Sequence, residues 1–87
     1  MKTFKDLKFK KHRSFTNGKM ASLNFDNGFG VSVINGEGAY AGVGTWEVAI
    51  LYNDLLCYTS GITEDVIGWQ TPRQVTSVMK QVQSLIA

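Results

Sequence analysis

Between residues 20 and 33, MASLNFDNGFGVSV, apolar and polar positions alternate on either side of a turn. Two registers compete for the stretch. A two-residue turn at Asn27-Gly28 pairs Phe25 with Gly30, Asn24 with Val31 and Leu23 with Ser32, which leaves both faces mixed. A three-residue loop, Asp26-Asn27-Gly28, pairs Phe25 with Phe29, Leu23 with Val31 and Ala21 with Val33. One face is then wholly apolar, and Ser22, Asn24, Gly30 and Ser32 share the other. A slip of one residue would turn a whole strand over, so core formation selects the second register. The turn residues agree: Asp26-Asn27 suits a type I turn and Gly28 the left-handed position of a bulge.

The same period of two runs through WEVAILYN. Trp46, Val48, Ile50 and Tyr52 share one face, and Glu47, Ala49, Leu51 and Asn53 the other. With apolar residues on both faces, the strand is expected to be central and covered on both sides. Asn53-Asp54 tolerates left-handed geometry and predicts a tight turn. LLCYT then returns, with Tyr52 facing Leu55, Ile50 facing Cys57 and Val48 facing Thr59. Cys57 is accordingly assigned to the core. Near the start, LKFKKH alternates apolar with basic. It predicts an edge strand with Leu7 and Phe9 inward and its lysines outward, followed by a turn at Asn17-Gly18.

From residue 71 the period becomes helical. Thr71 is an N-cap, Pro72 takes the first helical position and Gln74 completes a capping box. Val75, Val78, Met79, Val82, Leu85 and Ile86 form the apolar stripe, with Arg73, Thr76, Ser77, Lys80, Gln81 and Ser84 on the wet face. GITEDVIG reads as a short helical turn capped by Thr63, with Glu64 and Asp65 near its start and Gly68 at its end. NGEGAYAGVGT, with glycines at 36, 38, 42 and 44, is a long hairpin connection that presents Tyr40. These elements predict an α+β domain over residues 1–87: an antiparallel sheet of four or five strands, a meander of hairpins, with one C-terminal helix packed on one face.

Composition narrows what such a domain can be. At 87 residues there is room for one core, and 44% apolar content is enough to form it. One cysteine excludes an intrachain disulfide, and one histidine leaves no structural zinc set. The charge-dense start is not a signal peptide, and no apolar run is long enough to span a membrane, so a cytoplasmic location is expected. The net charge of +2 is unevenly spread. Residues 1–19 carry seven Lys/Arg and one Asp, a net of +6, whereas residues 20–87 carry two and six, a net of −4.

Catalytic patterns are missing. There is no nucleophile with a base nearby in sequence, no CxxC, no HExxH and no Walker loop, so no enzyme, cofactor or metal is expected. The order FDNGFGVSV, a Gly/Tyr-rich loop, WEVAIL, LCYTSGITEDVIG and a helix opening T-x-x-x-V resembles small uncharacterised proteins encoded by bacteriophages and prophages. The resemblance covers most of residues 7 to 86. It implies an accessory protein in a bacterial host cytoplasm and carries over no binding residues.

Two classes of function are expected from these features. The first is protein–protein interaction with a host or phage protein, modulating a host or defence factor, through an aromatic surface of Tyr40, Tyr58 and Trp69. A homodimer is one way for so short a chain to build that surface. The alternative is nucleic-acid binding through Lys8, Lys10, Lys11, Arg13 and Lys19, interleaved with Phe4, Phe9 and Phe15. A further alternative is a nucleotide held between subunits by the glycine-loop amides and Tyr40.

Overall fold

The computed structural model describes residues 1–63 and 65–86. Six strands form one antiparallel sheet: β1 Lys10–Lys11, β2 Lys19–Asn24, β3 Phe29–Asn35, β4 Trp46–Tyr52, β5 Leu55–Leu56 and β6 Ile67–Gln70. The first five follow one another as a meander, and β6 returns to pair with β4. A helix, α1 Pro72–Gln83, lies on one face.

The β2–β3 hairpin takes the register that builds an apolar face. Ala21 pairs with Val33 and Leu23 with Val31. The Phe25 amide donates to the Phe29 carbonyl at 2.7 Å, and Gly28 sits at φ +85° in the bulge. Asn53 and Asp54 both have positive φ, and Tyr52 pairs with Leu55, the geometry of a tight two-residue turn. Val31, Val33, Val48 and Ile50 are buried against Val75, Val78, Met79 and Val82. Thr71 accepts a hydrogen bond from the Gln74 amide, and the Gln74 side chain accepts one from the Thr71 amide. The capping box is therefore formed, and the stripe meets the core as its spacing requires. Leu85 reaches the core, but Ile86 lies beyond the helix end and is exposed.

Three local readings are corrected. Residues 67–70 are a strand, not the end of a helical turn: Ile67, not Thr59, stands beside Val48. The regular returning strand after the tight turn is only Leu55–Leu56; the Cys57 amide still donates to the Ile50 carbonyl at 2.8 Å, as the expected Ile50–Cys57 pairing requires, but Cys57 is half-buried at the margin of the core. The added pairing raises the strand number to six. Thr63 turns the chain ahead of β6, its hydroxyl accepting from the Asp65 amide at 3.1 Å. Glu64, expected in the same turn, lies outside the described residues.

Strand β4 is central, with β3 on one side and β5 and β6 sharing the other, but α1 covers only one of its faces. On the opposite face Ser22 and Asn24 are exposed, and Ser32, Ile34 and Leu51 are half-buried.

The N-terminal segment is tied to the helix rather than extended. Phe4–Asp6 form a 3-10 turn, closed by the Thr3 amide donating to Asp6 at 2.8 Å. The Phe4 amide donates to the Thr76 hydroxyl at 3.0 Å, and Leu7 is buried. Phe9 packs on Trp46 with ring centroids 4.3 Å apart, and Phe4 lies 5.6 Å from the same indole. Leu7 and Phe9 thus face inward as expected, although regular pairing begins only at Lys10.

Candidate functional site

The two outer edges of the sheet differ in chemistry. Strand β1 is short and carries two exposed lysines, which discourage further strands from pairing there. The opposite edge, made by β5 and β6 end to end along β4, bears Leu55, Leu56 and Trp69, all exposed. Leu55 is 72% exposed and Trp69 61%, values that set this edge apart from the lysine-guarded one.

A bulge in β6 points Trp69 outward. Trp46 pairs with Gln70 and Val48 with Ile67, so Gly68 and Trp69 together stand opposite Glu47. The extra residue puts Trp69 at φ +51°, a left-handed conformation that a bulky aromatic residue adopts only under constraint. Its amide donates to the Tyr40 carbonyl at 2.8 Å. The Tyr40 ring lies 5.7 Å from the indole at 51°, and the Tyr40 amide donates to a Glu47 carboxylate oxygen at 2.9 Å. Gly68 permits the approach, because a Cβ there would lie 2.8 Å from both the Cβ and the carbonyl oxygen of Tyr40.

The fold therefore joins Tyr40 and Trp69 into one exposed unit. Tyr58 is exposed on the segment after β5, and its ring pairs with neither. Leu55 and Leu56 belong to the same edge and were not singled out from sequence. Their inward or outward position becomes visible only once β5 is known to end after two residues.

The glycine loop uses several of its amides internally. Ala39 donates to Gly36, Gly42 to the Thr45 hydroxyl and Thr45 to Gly42. With the Tyr40 amide committed to Glu47, the loop displays fewer free amides for a nucleotide phosphate than its composition implies.

Four of the five sequence-selected cations line one concave surface of about 770 Å³ formed by residues 9–19: Lys10, Lys11, Arg13 and Lys19. Lys8 is exposed but lies outside it. The aromatic residues interleaved with them are already engaged. Phe4 and Phe9 pack on Trp46, and Phe15 stacks on His12 at 4.3 Å and 7°. Cys57 has its sulfur 3.9 Å from the Thr59 hydroxyl. Among the described residues, no group of three His, Cys, Asp or Glu side chains comes together to hold a metal ion, and no helix is long and apolar enough to cross a membrane. No family model, curated protein or solved structure matches the chain.

Proposed function

We propose that the protein acts by binding another protein along the β5–β6 edge of its sheet, with Tyr40 and Trp69 as the anchor and Leu55, Leu56 and Tyr58 as flanking contacts. The observation that carries this reading is the apolar chemistry of that edge, set against the lysines of β1. An edge strand offers unpaired backbone groups, and exposed aromatic and aliphatic side chains beside it supply the apolar surface that interfaces bury. The left-handed Trp69 adds support, because strained residues cluster where binding demands them. In the setting that the phage resemblance implies, the partner is a host or phage-encoded protein, with a host defence factor as one target. A second copy of the chain would use the same edge.

Affinity capture from bacterial lysate tests the reading, with tagged wild-type protein, the Tyr40→Ala/Trp69→Gly double variant, and nuclease treatment in both. The expected result is a stoichiometric protein partner that survives nuclease and moderate salt and is lost from the variant. Sedimentation of the purified protein separates self-association from a foreign partner. A partner retained equally by the double variant would overturn the assignment of the edge.

A further inference from the structure

The β1–β2 hairpin and its loop lie apart from the apolar edge and bring together four of the chain's nine Lys/Arg residues. We propose that this loop binds the phosphate backbone of single-stranded nucleic acid, through Lys10, Lys11, Arg13 and Lys19, without reading its bases.

Charge and shape support this together. The concave surface of about 770 Å³ is lined by four cations and no carboxylate. Lys11 and Lys19 are directly opposed across the β1–β2 pair, where like charges destabilise a sheet. An anion placed between them converts that repulsion into two attractions. Guarding an edge with lysine accounts for Lys10 and Lys11. It does not account for Lys19, which stands on the inner strand β2, or for Arg13 in the loop.

The loop is also prebuilt as a donor surface. The His12 amide donates to the Gly18 carbonyl at 2.9 Å, and the Gly18 amide to the Phe15 carbonyl at 3.0 Å. His12 Nδ1 accepts from the Ser14 amide at 3.0 Å and the Phe15 amide at 3.2 Å. These two bonds fix the His12 ring within the loop. A loop already closed by these bonds has less ordering entropy to lose when an anion binds.

The ligand class follows from what the surface lacks. Base stacking requires free aromatic faces, but Phe15 has His12 on its ring, and Gly38 lies so close that a Cβ there would sit 3.2 Å from the Phe15 ring. Recognition is then by phosphate alone and independent of sequence. The net charge of −4 over residues 20–87 repels a duplex that wraps further round the domain and limits contact to a short stretch of one strand.

The test is fluorescence anisotropy of a fluorescein-labelled oligo(dT) with the full chain across a salt series, with inorganic tripolyphosphate and a duplex of equal length as competitors. Four neutralised phosphates predict a slope of log affinity against log salt of about −3. The Lys11→Gln/Lys19→Gln double variant should bind at least tenfold more weakly, with a slope shallower by roughly 1.4. Its melting temperature should not fall, because the substitution removes a repulsion. A flat salt response, or unchanged binding by the double variant, would overturn the site. Tripolyphosphate or duplex competing as well as unlabelled oligo(dT) would overturn the assignment to a single strand.

Discussion

The side-chain amide of Asn27 donates to the carbonyl oxygen of Val82 at 2.9 Å, across 55 residues of chain. The same nitrogen donates to the Leu85 carbonyl at 2.9 Å, while Asn27 Oδ1 accepts from the Phe29 amide at 3.1 Å. A helix leaves its last carbonyls without partners, and here a hairpin turn supplies the donor. One side chain thus closes the β2–β3 turn and caps the end of α1.

Asn27→Ala should therefore cost about 1–3 kcal/mol, more than an ordinary turn substitution, because the Leu85 carbonyl and the Phe29 amide lose the Asn27 side chain together, while the Val82 carbonyl keeps the Leu85 amide. Urea unfolding of the two proteins measures it. Asn27→Asp should behave differently with pH. A carboxylate facing carbonyl oxygens at the negative end of a helix is disfavoured when charged, so its folded pKa lies above the unfolded value. The variant should be most stable below about pH 4 and should lose stability relative to wild type as pH rises toward neutrality.

Gly28→Val should destabilise by roughly 1–2 kcal/mol, since Gly28 holds φ +85° and a side chain pays the left-handed penalty. A Cβ there also lies 3.3 Å from the Tyr52 ring. Gly28→Asn, which tolerates the conformation, should lose less. A lower urea midpoint at unchanged m-value is the expected signature.

The two tryptophans should respond in opposite ways. Trp46→Ala removes the indole on which Phe4 and Phe9 pack and should cost about 3 kcal/mol. Trp69→Gly relieves a strained φ of +51° and gives up only partly exposed packing on Tyr40. Its stability should stay within about 1 kcal/mol of wild type while partner capture is lost. Thermal melts alongside capture distinguish the two.

Thr71→Ala should cost about 1 kcal/mol by removing the acceptor for the Gln74 amide, and Thr71→Ser should restore most of it. Circular dichroism melting of the three proteins is sufficient.

What could be read from sequence is what depends on near neighbours. The 21/33 and 23/31 pairs follow from period and turn chemistry alone, and Thr71 to Val82 from cap and stripe. The Asn53-Asp54 turn was legible for the same reason. Strand β6 was not: ITEDVIG carries helix-start residues, and the attraction of Ile67 to the edge of β4 beside Val48 is a long-range fact. The bulge that turns Trp69 outward depends on that pairing, so Trp69 could be selected as an aromatic but not placed. The contrast between the two edges likewise needs the strand order. The convergence of Lys11 and Lys19 needs the loop closed by His12 and Gly18.

Gln83 grips both backbone groups of Lys2: its side-chain oxygen accepts from the Lys2 amide, and its nitrogen donates to the Lys2 carbonyl, each at 2.8 Å. The segment ahead of β1 is therefore docked by the helix that follows β6 in the chain. During synthesis the hairpins can form as they emerge, but the apolar side of Val31, Val33, Val48 and Ile50 stays wet until α1 leaves the ribosome. At roughly 5–20 residues per second, that wait lasts a few seconds. Nascent chains stalled before Val75 should accordingly be sticky substrates for chaperones, and chains in which α1 has emerged should not.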